Sequence, residues 1–285
     1  MQYVVAGVGY TGRRVCTLLS DFEPVGINRS PLRSPPKGTT IVPVDLDEAE
    51  PDLIPVQSLC TILYTIPPAG GGAVDERLGR FLSMLKAEVS RVVYLSTSGV
   101  YGNRGGERVF EKDVPLPETE RAIRRLAAED RLQRWVANTR TELVILRVPG
   151  IYGPGRLGID RINAGESLVS EAECIPGNRI HVDDLASCCV RAMIASIPSG
   201  VYNVGDGDHR SSTWFSQSVA AMLKLPRIPE VSRARAAETF SDLRLSFLAE
   251  SRIVDTTKMR KVMGFTPGYT DPIDGIRASL ARCPE

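Results

Sequence analysis

The sequence predicts an α/β protein built on a doubly wound parallel sheet. Three observations carry that prediction. Short apolar runs alternate with helical patterns through the first two-thirds of the chain. The runs are apolar almost throughout rather than at every second residue, which means burial on both faces and a parallel sheet with helices on each side. A glycine-spaced segment, "GVGYTG", joins the first run to the first helix. Right-handed strand–helix–strand crossovers then wind such elements into two layers of helix around one sheet.

Each element has a local reason. "YVVAGV" (Tyr3–Val8) is a strand that ends in glycine, and "GYTGRRVCTLLSD" turns and continues as an amphipathic helix. Pro24–Asn28 and Thr40–Asp45 are the second and third strands, separated by the Pro/Ser-rich loop Arg29–Gly38. Leu59–Ile66 is the fourth, stopped by Pro67 and Pro68. A helix over Asp75–Val89 leads to a fifth strand, Arg91–Thr97, and a helix over Glu118–Asn138 to a sixth, Glu142–Val148. "DDLASCCVRAMIAS" is a helix before a seventh strand, Val201–Gly205. From Ile151 the chain turns loop-rich and glycine-rich, and from Asp206 it is mostly helical and polar. The expected organisation is a main domain over residues 1–150, with 179–205 returning to it. A smaller C-terminal substrate or lid domain is expected from 151–178 and 206–285.

A chain of 285 residues, 42% hydrophobic, can bury a large core. Its 35 basic and 34 acidic residues leave a net charge of +1, which gives no case for nucleic acid or an anionic membrane as partner. The longest apolar runs are too short to span a bilayer. The N-terminal "MQYVVAGVGYTG" lacks the basic stretch of a signal peptide. Six scattered cysteines without a CxxC pair suggest free thiols in a reducing, cytoplasmic setting. Two histidines, His181 and His209, give no spacing for a zinc site, so no metal is expected, and no GxSxG elbow accompanies them.

Gly7, Gly9 and Gly12 form GxGxxG after a strand and at the start of a helix, the context in which the pattern has a mechanism. Gly7 permits the tight turn, Gly9 lets the backbone approach a pyrophosphate, and Gly12 lets helix and strand pack closely. Amides at the helix start, around Tyr10 and Thr11, then face the phosphates. An NAD site usually carries an acid about 20 residues later. Here Asn28 stands in that place and Arg29 follows it. A carboxylate would repel a 2′-phosphate, whereas an arginine can clamp it, so NADP is favoured over NAD as the cofactor. Arg13, Arg14 and Arg33 are candidate helpers; the bland alternative for Arg29 is a solvated loop residue.

Two further features invite chemistry. "YLSTSGVYG" places Ser96, Thr97, Ser98 and Tyr101 at the carboxyl end of the fifth strand, where such sheets bind ligands, although serine and threonine also simply favour turns. "ERAIRRLAAEDRL" is a helix in which Arg121 and Arg125, four apart, share one face. Glu120–Arg124 and Asp130–Arg134 are i,i+4 pairs that account for other arginines without a site.

"AGVGYTGRRV", "VDLDEA", "YLSTSGVYG", "LRVPGIYGPGR", "RIHVDDLA", "VYNVGDGDHRSSTWF" and "TTKMRKVMGFTPGYTDPIDGIRASL" follow one another in an order that covers nearly the whole chain. In this the sequence resembles the extended, or atypical, short-chain dehydrogenases/reductases of the NAD-dependent epimerase/dehydratase kind. The resemblance implies a Rossmann-type sheet. It implies that Thr97 is the hydroxyl holding the substrate oxygen. Asp45 and Leu46 match a segment touching adenine, and Ile66 and Pro67 a turn beside the cofactor. Pro149 to Tyr152, with Pro149 and Ile151 as its cofactor contacts, match a loop meeting the nicotinamide. His181 and Asp183 match a segment docking the small domain, with His181 read as a packed structural residue. Asp183 or Asp184 could cap the helix that follows, and Cys188 and Cys189 would be core thiols. A homodimer through helices equivalent to 75–89 and 118–138 is also implied.

The family's catalytic helix carries Tyr-x-x-x-Lys, and the aligned positions here are Arg121 and Arg125. No tyrosine in the chain has a lysine four residues later. Arginine stays protonated at any working pH and cannot shuttle a proton. Arg125 can still bind ribose hydroxyls, and Arg121 can grip an anionic substrate or a developing oxyanion. Proton transfer then falls to Thr97 through water, to Tyr101, or to the substrate. The expected activity is an NADP-dependent oxidoreductase or epimerase acting on a small polar carbonyl, hydroxyl or sugar-like substrate. The alternative is an NADP-binding redox sensor or regulator without turnover. The sequence leaves the substrate open.

Overall fold

The computed structural model describes residues 1–48, 56 and 59–282; Ala49 of "VDLDEA" and Cys283 lie outside the described residues. The central sheet has seven parallel strands. They are β1 (Gln2–Ala6), β2 (Val25–Asn28), β3 (Thr40–Pro43), β4 (Cys60–Tyr64), β5 (Val89–Thr97), β6 (Glu142–Val148) and β7 (Gly200–Asn203). Their spatial order is 7-6-5-4-1-2-3. This is the Rossmann order, with the direction of winding reversing between β1 and β4.

The apolar runs are buried on both faces, as expected, except in the edge strand β3, whose residues are exposed or half-buried. Val5, Leu63, Val93, Leu95, Val144 and Leu146 point to one side. There they meet Val15 and Cys16 of α1 (Tyr10–Leu18) and Leu185, Cys188 and Cys189 of α4 (Val182–Ile194). Their sequence neighbours Val4, Ile62, Val92, Tyr94, Leu143 and Ile145 point to the other. That face is covered by Leu78 and Phe81 of α2 (Glu76–Met84) and by Ala128 and Leu132 of α3 (Glu120–Val136). At about 1.5–3 kcal/mol for each large side chain buried, these two layers dominate stabilisation of the fold. Cys16, Cys60, Cys188 and Cys189 are buried free thiols, and Cys174 is free and half-buried. Among the described residues no helix is long and apolar enough to cross a membrane.

Several boundaries differ from the sequence expectation. The third strand stops at Pro43 rather than Asp45, on the sheet edge, where a residue without an N–H is tolerated. The helix expected over Asp75–Val89 ends at Met84, and Val89 instead opens β5 opposite Cys60. Pairing with the sheet overrides helix propensity there. The helix α4 is capped by His181, whose Nδ1 accepts from the Asp183 amide, and not by either aspartate. Asp184 receives the amides of Gly268 and Tyr269, and Asp183 holds Arg14 and Arg282. His181 is fully buried against Tyr152 and Tyr269, and its pKa is lowered by that burial, in keeping with a packed structural histidine. Arg134 donates to the backbone carbonyl of Asp130 rather than to its carboxylate, whereas Glu120–Arg124 is an ion pair at 3.3 Å.

Candidate functional site

The carboxyl ends of β1, β2, β4, β5 and β6 open onto one cavity of about 690 Å³. The glycine turn forms its floor. Gly7 takes a φ of +99°, its amide donates to the Ile27 carbonyl at 2.8 Å, and Thr65 Oγ1 donates to the Gly7 carbonyl at 2.8 Å. A Cβ on Gly12 would lie 2.0 Å from the Gly7 carbonyl oxygen, so α1 can sit this close to the turn only with glycine there. A Cβ on Gly9 would meet nothing within 4 Å, and Gly9 lines the open cavity. The residue before α1 thus has no side chain with which to cap the helix, and the first turn carries no acid. That leaves the helix N-terminus suited to an anion.

Of the residues singled out in the sequence, the cavity brings together Gly7, Gly9, Tyr10, Thr11, Asn28, Arg29, Leu46, Ile66, Pro67, Thr97, Arg125, Pro149 and Ile151. Gly12, Asp45, Tyr101 and Arg121 stand back from it. Gly12 packs on the turn, as above. Asp45 faces Arg29 across 3.5 Å. Tyr101 is fully buried, and its hydroxyl donates to Asn203 Oδ1 at 2.7 Å. Burial raises the phenol pKa, so it is set to hold structure rather than to exchange protons. Arg121 Nη2 donates to Ser246 Oγ at 3.2 Å, in the helix Asp242–Ala249, and so lies one turn outside the cleft wall. Of the candidate helpers, Arg14 is engaged by Asp183 and the Tyr10 carbonyl, and Arg13 by the Ser34 carbonyl.

Arg125 does face the cavity. Its Nη1 donates to Tyr94 Oη at 3.1 Å and to the Leu95 carbonyl at 3.0 Å, which fixes the guanidinium beside the end of β5. Thr97 Oγ1 accepts from the Gly99 amide at 3.1 Å, which leaves the hydroxyl proton able to donate elsewhere. Beside it, Ser96 lines the cavity and donates at 2.5 Å to Glu129 Oε1. Glu129 is buried and bound to the equally buried Arg147, with Nη2 2.7 Å from Oε2. An ion pair therefore lies directly behind this wall of the cleft.

Sequence reasoning missed two cations of the cleft and one carboxylate partner. Arg156 stacks on the Tyr10 ring at 3.9 Å, and the Tyr10 hydroxyl donates to the Pro154 carbonyl at 3.0 Å. Arg77, in the first turn of α2, lines the cavity beside Arg29, and both reach the carboxylate of Asp47. Glycine-rich "YGPGR" was a signal for a close loop at Arg156; Asp47 falls within "VDLDEA", but no local pattern marks Arg77 or its pairing with Asp47.

Comparison with known proteins agrees with this architecture. The segment 80–205, which holds Thr97, Arg125 and the buried ion pair, matches the model of the NAD dependent epimerase/dehydratase family. The uncharacterized protein y4nG of Sinorhizobium fredii is 27% identical over 203 residues, covering 64% of this chain and 50% of its own length. The chain spans about half the length of the curated relatives it matches. A functionally unknown conserved protein from Silicibacter pomeroyi superposes with a TM-score of 0.81 at 28% identity, over 99% of each chain. MoeE5, solved with UDP-glucose and NAD, superposes with a TM-score of 0.75 at 21% identity, over 99% of this chain and 98% of its own. The epimerase/dehydratase segment supplies β5, α3, β6, α4 and β7, and the glycine turn that completes the cleft lies before it.

Proposed function

We propose that the cleft binds a nicotinamide dinucleotide, with NADP preferred to NAD. On this reading the chain is an oxidoreductase or epimerase/dehydratase-type enzyme for a small polar carbonyl, hydroxyl or sugar-like substrate. The observation that carries the reading is that Gly9, the start of α1, Arg29, Thr97 and Arg125 line one cavity. The residues present fit the cofactor: the open side of Gly9 admits a pyrophosphate, and Arg29 offers a cation to a 2′-phosphate. The cofactor, when bound, supplies the hydride donor or acceptor. MoeE5, the solved neighbour described with UDP-glucose and NAD, supports the sugar-nucleotide class of substrate; the preference for NADP rests on Arg29.

The chain's own residues position the reactants. Arg125, anchored on Tyr94 and Leu95, binds ribose hydroxyls and stays charged, so it takes no part in proton transfer. Thr97 donates its hydroxyl proton to the reacting oxygen and holds it in place. Arg121, which stands back from the cavity and donates to Ser246 Oγ, is given no contact to the substrate in this reading. With Tyr101 removed from the candidates, the exchanged proton travels through water at Thr97 or comes from the substrate.

Titration of the full chain with NADPH and NADH, read by nicotinamide fluorescence, tests the first half of the proposal. NADPH should bind more tightly. Oxidation of NADPH with a panel of ketones, aldehydes and nucleotide sugars tests the second. The absence of a Tyr-x-x-x-Lys pair favours one other reading, a redox-sensing regulator. Tight NADPH binding without turnover on any member of the panel would select it. No affinity for either dinucleotide would sink both.

A further inference from the structure

Two guanidinium groups from different elements converge on a single oxygen atom at the edge of the cleft. Arg29, just beyond β2, and Arg77, at the start of α2, both line the cavity and both reach Asp47 Oδ2. Arg77 holds the carboxylate through two bonds, Nε to Oδ1 and Nη2 to Oδ2, each 2.6 Å, while its Nη1 donates to the Pro67 carbonyl at 3.1 Å. Arg80 adds a third cation, donating to the Leu46 carbonyl at 2.7 Å. Against these stand Asp45 and Asp47, so three positive charges face two negative ones. Asp47 sits on the turn after β3 with its side chain 39% exposed, and can swing into solvent without disturbing the core. The Arg77 hydrogen bonds hold its carboxyl below the usual range, so it is an anion at neutral pH.

A single oxygen between two guanidinium forks is also the arrangement an oxygen of a phosphate dianion adopts. We infer that Arg29 and Arg77 form a two-arginine clamp for the 2′-phosphate of NADP, and that Asp47 is its internal counter-ion, displaced when the phosphate enters. The inference rests on reading the cleft as an NADP site and adds to it two specificity-determining residues, one attractive and one competing. A dinucleotide without the 2′-phosphate neither needs Asp47 to leave nor gains from the clamp.

The test uses the full chain, titrated with NADPH and NADH, in wild type, Asp47→Asn and Arg77→Gln. Asp47→Asn removes the competing charge and should tighten NADPH about fivefold, the size of one exposed ion pair. The NADH constant should move less than about twofold. Arg77→Gln should weaken NADPH about tenfold, again with little effect on NADH, and the difference should shrink at high salt. Competition by 2′,5′-ADP, which carries the phosphate but no nicotinamide, should follow the NADPH order. Thermal melts confirm that both variants fold. If Asp47→Asn weakens NADH and spares NADPH, Asp47 is a ribose-hydroxyl acceptor and the clamp is wrong. If NADPH binds wild type and both variants alike, the clamp is wrong while the cofactor reading stands. If wild type binds neither dinucleotide, the cofactor reading fails first.

Discussion

Replacing Glu129 by Gln isolates the buried charge behind the cleft. Arg147 is 4% exposed and Glu129 1%. Glu129 accepts from Arg147 Nε and Nη2 and from the Ser96 hydroxyl. Arg147 Nη1 is buried with no hydrogen-bond partner among the described residues. The guanidinium also lies over the Tyr101 ring, 4.8 Å from its centroid. Glutamine keeps one acceptor oxygen but leaves the arginine charge uncompensated. Breaking a buried pair from one side costs about 3–5 kcal/mol, and the retained oxygen argues for the lower end, about 3 kcal/mol. That is a fall in Tm of roughly 6–12 °C for a chain near this size. Urea unfolding should show the same loss in midpoint with an unchanged m-value. Glu129→Leu with Arg147→Met removes both charges and should lose about 1 kcal/mol or less, because desolvation of the pair disappears with it. A loss below about 1 kcal/mol for Glu129→Gln would refute the argument that this pair is electrostatically essential. A double variant no better than the single one would show that shape, not charge, is what the site needs.

Four other outcomes follow from the geometry. Gly9→Ala should fold with wild-type Tm but weaken dinucleotide binding about tenfold. Gly12→Ala should lose several degrees of Tm, since its Cβ would lie 2.0 Å from the Gly7 carbonyl oxygen; equal melting of the two would contradict the tight-turn account. Arg125→Met should weaken NADPH binding about tenfold by fluorescence titration, and unchanged affinity would remove Arg125 from the cofactor wall. Asp206 should give a pH signature. Its carboxyl is buried, Oδ2 has no partner among the described residues, and burial pushes its pKa up to about 7. The folded state therefore holds this proton more tightly than the unfolded state does. The stabilisation is complete below about pH 4 and is lost as pH rises toward 7. Asp206→Asn should gain stability relative to wild type across that interval, by about 1–3 kcal/mol at pH 7. Parallel urea midpoints for the two proteins from pH 4 to 7 would rule this out.

What the sequence displayed and what it concealed divide along physical lines. The sheet was legible because burial on both faces leaves a one-dimensional trace: Val4 and Val5, or Val92 and Val93, are both apolar although they face opposite helical layers. The glycine turn was legible for the same reason, since Gly7 and Gly12 answer to backbone geometry within six residues of each other. Arg125 was reachable through helical spacing and the family resemblance. Tyr101 misled because a hydroxyl at a strand end suggests a ligand, and its partner Asn203 is 102 residues away. Arg121 similarly finds Ser246 across 125 positions. The Asp47–Arg77 pair is 30 residues apart and joins a turn at the sheet edge to the start of a helix. Nothing in the periodicity of either segment encodes it. Yet it decides how many charges stand at the edge of the cavity. Arg29 alone gives the net cation that the sequence suggested; Asp45 and Asp47 outweigh it, and Arg77 and Arg80 restore a single net positive charge. On the proposed reading of the cleft as an NADP site, preference for the phosphate would rest on the folded cluster and not on the single arginine after β2. Charge reversal at Arg77 should do as much damage to that preference as charge reversal at Arg29.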